Sequence, residues 1–390
     1  MKETLFNTHD LALIISIYQC LFFSLFLITI KKGKRSSNIL LSLFFLAQAA
    51  IPLDNLINFG EGFRSESLAY SPNLFYIFGL AYWLEAPLLL LYIRSIIYKN
   101  FKLKKTDALY FIPFVLFAVY FYITWISLGD ATKVDRLQGT IIAGASLLDR
   151  EIHIFRECFR FFCGVLCLIE LRHYKEQIKN EVAELETINL TWLNILTIGF
   201  LVVRGIAVCV AVLIFFSYEL SFNVDHEFMG LMSNYLMMLF ITILILFNTE
   251  QSTIFKGIDQ LLPVKKEKDN EPIDPEILNK IEQYMTAQKP YLNHLLSQKN
   301  LANQLELVPR TLSIIINHHY KRNFFEFINQ YRIEESKSLL TNVVHKNKTM
   351  LEVMDMAGFN SKATFNTFFK KLVGVTPTQY RKDFFAKNDL

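Results

Sequence analysis

Charge is scarce in this chain: 19% of its 390 residues are Asp, Glu, Lys or Arg, against roughly 25% in a typical soluble domain. With 52% apolar residues and 36 phenylalanines, it is too apolar for an ordinary soluble enzyme. The same majority excludes disorder over most of its length. Cysteine is scarce too. Cys20, Cys158, Cys163, Cys167 and Cys209 all lie in apolar runs and none stands at CxxC spacing, so neither a disulfide framework nor a thiolate metal site is expected. The P-loop, HExxH, GxGxxG and nucleophile-elbow strings are missing. The expectation is a protein that is not an enzyme, with no cofactor and no metal.

The charge that is there sits unevenly. Residues 1–272 hold 24 Lys+Arg and 25 Asp+Glu, for a net −1. Residues 273–390 hold 16 and 11, for a net +5. A basic terminal third beside an apolar remainder points to a polyanionic partner for the basic part.

A membrane-spanning helix needs roughly 20 predominantly apolar residues. Seven segments meet this, at about 11–30, 38–59, 72–98, 107–128, 152–171, 189–216 and 227–248. The first is too long for the apolar core of a signal peptide and has no small-residue cleavage site after it, so it reads as a retained span. Lysine and arginine crowd the loops after the first, third and fifth: Lys31, Lys32, Lys34 and Arg35; Lys99, Lys102, Lys104 and Lys105; Arg172, Lys175 and Lys179. By the positive-inside rule the N-terminus is outside and the C-terminus cytoplasmic. The odd number of spans independently puts the basic third where DNA is. The predicted organisation is a membrane domain over 1–248, a juxtamembrane helix and flexible linker over 249–275, and a basic helical domain over 276–390, in the cytoplasmic membrane of a bacterium. The largest external loop, about 129–151, is too short for a sensory domain, so any signal must reach the bundle itself.

Ionisable residues inside spans are functional candidates by default. Glu85 is mid-span beside Pro87, and Arg204 is mid-span in the sixth segment; a Glu85–Arg204 pair neutralises both most simply. His153, Arg156 and Arg160 share one helix face by their spacings of three and four. That face lies in the predicted outer half, with Asp54 near the outer end of the second span. These charges read as internal glue between helices, as an outward-facing pocket for an anionic or amphiphilic ligand, or as a proton or ion relay.

The basic third carries only helical patterns: about 275–287, then Ser297–Glu306 and Pro309–Asn317 around a tight turn, then a rod over 324–340. Thr349–Phe359 and Ser361–Lys371 repeat the helix-turn-helix arrangement, which is the DNA-reading one. A rod of about 25 Å lets two reading helices enter successive major grooves, roughly 34 Å apart. Phe359, Phe365 and Phe368 read as core. His318 and His319 have no partner at metal spacing.

Here a resemblance is close. The string Ala357-Gly-Phe-Asn-Ser…Phe365…Phe368-Phe-Lys-Lys…Gly374-Val-Thr-Pro-Thr-Gln-Tyr-Arg381, with Tyr331-Arg-Ile-Glu-Glu-Ser-Lys-Ser-Leu-Leu340 before it, resembles the AraC/XylS-type DNA-binding domain over about Asn300–Asp383. The first 272 residues resemble the multi-spanning regions of membrane-bound members by hydropathy alone. The resemblance implies an all-α fold, sequence-specific binding of double-stranded DNA and control of transcription. It implies base contacts from Arg310, Thr311, Ser313, Ile314 and Asn317 in the first reading helix, and from Lys362, Ala363, Asn366 and Thr367 in the second. Lys321, Arg322, Lys370, Lys371, Arg381 and Lys382 are expected on phosphates, which position without specifying. The chain departs from the family at Glu306 and Lys321, where glycine is usual, at Val308 for a capping serine, and at Thr367 for an arginine. The reading is a membrane-embedded one-component regulator, with operator DNA, membrane lipid, RNA polymerase, a second copy of the chain and a small-molecule or lipid signal as expected partners. A transporter-like or enzymatic bundle carrying a regulatory appendage, and a constitutive tether of DNA to membrane, are the alternatives.

Overall fold

A computed structural model describes residues 7–29, 34–98, 100–139, 147–183, 190–220, 226–250 and 274–387. Among them there is no β-strand; one isolated antiparallel bridge joins Val182 and Ser297. The described residues fall in two compact units, one within Met1–Arg172 and Leu190–Gln260, the other within His173–Asn189 and Leu261–Leu390.

The first unit is built from α1 (Thr8–Thr29), α2 (Arg35–Phe59), α3 (Glu61–Tyr70), α4 (Ala81–Ile97), α5 (Ile112–Phe121), α6 (Asp130–Leu137), most of α7 (Leu147–Ile178), α8 (Thr191–Glu219) and α9 (His226–Glu250). Its helices are apolar outside as well as in. In α1 the line Leu13, Cys20, Phe23 and Leu27 is buried, while Leu21, Phe22, Leu25 and Ile28 stay exposed. Exposed apolar surface on this scale is what a bundle in lipid presents. Six stretches are long and apolar enough to cross a membrane: Thr8–Thr29, Arg35–Phe59, Pro72–Ile97, Lys105–Ile126, Thr191–Ser217 and Phe228–Leu246. They coincide with six of the seven expected spans. The remaining one, 152–171, is helical within α7, but Arg156, Glu157, Arg160 and Glu170 make it too charged to meet the same test. A crossing by α7 therefore rests on how its charges are neutralised, not on its apolar length.

The second unit holds α10 (Pro275–Gln288), α11 (Gln298–Gln304), α12 (Pro309–Ile314), α13 (Phe324–Thr341), α14 (Met350–Met356), α15 (Lys362–Val373) and α16 (Pro377–Lys387). Asp274 caps α10 by accepting from Glu276 N at 2.9 Å, the local reason that helix starts there. One core gathers Ile281, Met285, Leu301, Leu305, Leu312, Ile315 and Ile328. The other gathers Ile333, Val353, Ala357, Phe359, Phe365 and Phe369. Helix α13 contributes to both, as the linking rod was expected to. Phe368 packs at the edge of the second core.

A segment far upstream completes the first core. Ala183 is fully buried among those side chains. Its N–H donates to Leu296 O at 3.1 Å, Gln298 N donates to Glu181 O at 3.0 Å, and Phe325 N donates to Lys179 O at 2.9 Å. The sequence offered 172–189 only as a cytoplasmic loop. The expected juxtamembrane helix and linker fall mostly at 251–273, outside the described residues.

Candidate functional site

In the first helix-turn-helix, Ser297 caps α11 by accepting from Asn300 N. The turn passes through Glu306 in the left-handed region, φ 55°, and Leu307 N donates back to Ala302 O at 2.8 Å. Pro309 then opens α12, where its fixed φ suits a first turn. Helix α12 and the π-helical turn Ile315–His319 bury Leu312, Ile315 and Ile316. That places Arg310, Ile314 and Asn317 on the exposed side, with Thr311 and Ser313 half-exposed; Asn317 Nδ2 lies 3.3 Å from Ser313 Oγ. The motif closes at Lys321, again left-handed at φ 51°. Both positions where the resembling family has glycine thus keep a glycine backbone without the glycine.

The second motif reaches the same geometry with suited residues. Thr349 and Glu352 form a reciprocal capping box on α14. Gly358 has φ +83°, and a Cβ there would fall 2.5 Å from Tyr291 O. Ser361 caps α15 by accepting from Thr364 N at 3.1 Å, and Gly374 ends it at φ +88°. With Phe365 and Phe369 buried, Lys362, Ala363, Asn366 and Thr367 stand exposed together on the opposite face.

The residues expected on phosphates divide. Lys321, Lys370, Lys371 and Lys382 are exposed, Lys371 lying 3.3 Å from Glu326. Arg322 is half-buried and hydrogen-bonded to Gln330. Arg381 is also half-buried, donates to Lys348 O at 2.6 Å, and burial pulls its pKa below the ordinary guanidinium value. Those two arginines brace the fold.

Sequence reasoning missed Arg332. It is fully buried in α13, donating Nε to Tyr291 O at 2.7 Å, Nη2 to Asn293 O at 3.0 Å and Nη1 to Ala183 O at 3.3 Å. Its guanidinium lies 5.6 Å from the centre of the Phe359 ring. One side chain therefore ties α13, the 291–293 turn, the upstream segment and the second motif together. Its only sequence signal is position: it follows Ile328 by four, on the apolar stripe. Asn329, also buried, donates to Phe325 O and Ala183 O.

Residues 301–383 match the family model described as a helix-turn-helix domain. Residues 301–383 of the second unit are thus a helix-turn-helix domain. A domain of this class binds DNA in the control of transcription. No match to the chain was found among curated proteins or among solved structures. Within the helix-turn-helix domain, the exposed sides of α12 and α15 are the candidate base-reading surfaces.

The first unit holds a second candidate site. A cavity of about 360 Å³ is lined by Asp54, His153, Arg156, Arg160 and Arg204, so five of the six intramembrane residues singled out from sequence meet there. The sixth, Glu85, is fully buried and bonds Arg160 directly. Arg160 also holds Glu157 at 2.8 Å. Arg204 lies 3.8 Å from Glu85 and 3.7 Å from Glu157. The expected Glu85–Arg204 pair is thus the looser contact, because Arg160 takes the close one. Glu157 went unnoticed in the sequence, although its spacing of three from Arg160 is a helix-face signal. The cluster neutralises most of the charge that disqualified α7 by composition.

Proposed function

We propose that the protein is a membrane-embedded one-component transcription regulator. The bundle crosses the bacterial cytoplasmic membrane seven times, α7 included, with the N-terminus outside, and the helix-turn-helix domain binds operator DNA in the cytoplasm. Arg310, Thr311, Ser313, Ile314 and Asn317 read one major groove, and Lys362, Ala363, Asn366 and Thr367 read the next. Lys321, Lys370, Lys371 and Lys382 hold phosphates. The observation that carries this reading is the match of residues 301–383 to a helix-turn-helix family, joined to a chain with six helices apolar enough to span a membrane.

The bundle supplies the signal. Helix α7 lines the cavity through His153, Arg156 and Arg160, and from His173 onward the same helix belongs to the DNA-binding unit. The residues just after it, Lys179 to Ala183, help build the core under the first motif. A change at the cavity that shifts α7 loads that motif through the chain itself, while the 251–273 segment keeps two domains of a homodimer near each other.

Genome-wide DNA occupancy of the full-length protein across growth conditions tests this. The expected result is sequence-specific sites whose occupancy changes with condition and whose consensus loosens in Arg310→Ala. Sites that never vary with condition identify a constitutive tether instead.

A further inference from the structure

The cavity in the bundle has two chemically opposite sides. On α2, Asp54 and Asn58 stand four residues apart, on one helix face. Asp54 is 9% exposed and Asn58 2%, both line the cavity, and Asp54 Oδ1 and Asn58 Oδ1 have no hydrogen-bond partner. Asp54 makes no ion pair among the described residues. The Gly79 N–H and the Asn58 side chain are turned to the Asp54 carboxyl, and the two acceptors left over, one of them a carboxylate oxygen, make this wall the one that favours N–H donors.

Across the cavity, three guanidinium groups (Arg156 and Arg160 on α7, Arg204 on α8) face two carboxylates, Glu85 and Glu157. Arg160 is enclosed by both carboxylates. Arg156 is the outer one: its Nε reaches Glu157 at 3.0 Å while its guanidinium lies over the Tyr82 ring, 4.0 Å from the centre. The cluster keeps one positive charge in excess, and Arg156 is the most exposed of its three arginines. The remaining walls are apolar, chiefly Leu13, Ile51, Ile214, Met237 and Ile241. The volume falls at the small end of the range for ligand sites, roughly 300–1,000 Å³.

The geometry points to a zwitterionic ligand with an apolar remainder: a primary ammonium held between Asp54 and Asn58, an anionic group on Arg156, and an aliphatic part against the methionine and isoleucine walls. This rests on the bundle being a sensor only for its consequence, not for the binding itself. Two sources share the chemistry, a free apolar amino acid and the ammonium-phosphate headgroup of phosphatidylethanolamine.

The test uses purified full-length protein in phosphatidylcholine nanodiscs, with binding followed by calorimetry and thermal shift. The probes are L-leucine, 4-methylpentanoate, which lacks the ammonium, and 3-methylbutylamine, which lacks the carboxylate. A second arm adds phosphatidylethanolamine to the nanodiscs. If the source is free, leucine binds, and each single-charge analogue binds at least about tenfold more weakly, as loss of one charged hydrogen bond requires. If the source is lipid, phosphatidylethanolamine raises the melting temperature and blocks leucine. Asp54→Asn is expected to erase the preference for leucine over 4-methylpentanoate, and Arg156→Gln the preference over 3-methylbutylamine, with helicity by circular dichroism confirming folded protein. Equal binding of leucine and its single-charge analogues overturns the inference, as does a lack of effect from both leucine and phosphatidylethanolamine on folded protein. Binding that leaves DNA occupancy unchanged upholds the site and refutes the sensing role instead.

Discussion

The two helix-turn-helix motifs make the same turns with different residues. Where the second uses Gly358 and Gly374, both at positive φ, the first uses Glu306 and Lys321 at φ 55° and 51°. A side chain in the left-handed region costs about 1–2 kcal/mol per residue, so the first motif stands on a strained frame. It is also the motif whose core borrows Ala183 and whose flanking helices donate to Lys179 O and Glu181 O. The second core is drawn wholly from residues 333–380. The difference teaches that the second motif draws its core from its own residues, while the first leans on the stretch that leads out of α7. The order of the first motif is thus tied to a segment outside the matched stretch.

Arg332→Met breaks the comparison most severely, because this side chain serves both motifs. It leaves Tyr291 O without a donor and takes one donor each from Asn293 O, which keeps Leu296 N, and Ala183 O, which keeps Asn329, and hydrogen bonds from a charged donor contribute about 1.5–3 kcal/mol each. A loss of at least about 3 kcal/mol is expected, read as faster hydrogen exchange across both motifs of the full-length protein. Exchange that quickens only in 298–319 would confine the residue to the first.

Gly358→Ala comes next and strikes the second motif where it meets the 291–293 turn. The new Cβ would sit 2.5 Å from Tyr291 O and 2.7 Å from Leu292 Cα at a φ of +83°. Strain and overpacking together cost about 3 kcal/mol, visible as a lower melting temperature and weaker operator binding.

Arg310→Ala tests reading rather than folding. Bidentate contact of an arginine with a guanine is worth about 1–3 kcal/mol at one base pair. Its removal is expected to relax specificity at that position alone in a binding-site selection, whereas a uniform loss over all sequences makes Arg310 a phosphate contact.

The helices of the DNA-binding domain were legible because each carries its own punctuation: Pro309, the caps Ser297 and Ser361, the glycines at 358 and 374, and apolar residues at helical spacing. Six candidate spans were legible from apolar length. The fifth segment was legible as a helix but its charges were only half explained: mid-span position pairs Glu85 with Arg204, and only packing brings Arg160 closer. The Ala183 segment was not legible, and Arg332 only by its place on the apolar stripe. Their partners are backbone carbonyls and amides 39 or more residues away in the chain, and no residue type or periodicity encodes a long-range backbone contact.

Lys321→Gly sharpens the contrast between the motifs. It removes a left-handed side chain, worth about 1–2 kcal/mol, and adds back about 0.5–1 kcal/mol of glycine's chain entropy. The net expectation is a gain of about 0.5–1 kcal/mol in the first motif, seen as slower exchange there and none elsewhere. If the strain is part of the regulation, the same variant weakens the dependence of operator occupancy on growth condition.

The smallest effect separates two basic residues on one face of the sequence. Lys370 is exposed at the end of α15, whereas Arg381 is half-buried against Lys348 O. Neutralising a phosphate contact releases one fewer counterion, so the slope of log affinity against log salt falls by about 1. Lys370→Ala is expected to lower that slope by about this amount with the consensus unchanged and the melting temperature unmoved. Arg381→Ala is expected to do the reverse: no change in slope, but a lower melting temperature, because the carbonyl it satisfies loses its donor. A drop in slope for Arg381→Ala would mean that binding DNA pulls the guanidinium out of the fold, and that the second motif rearranges on its operator after all.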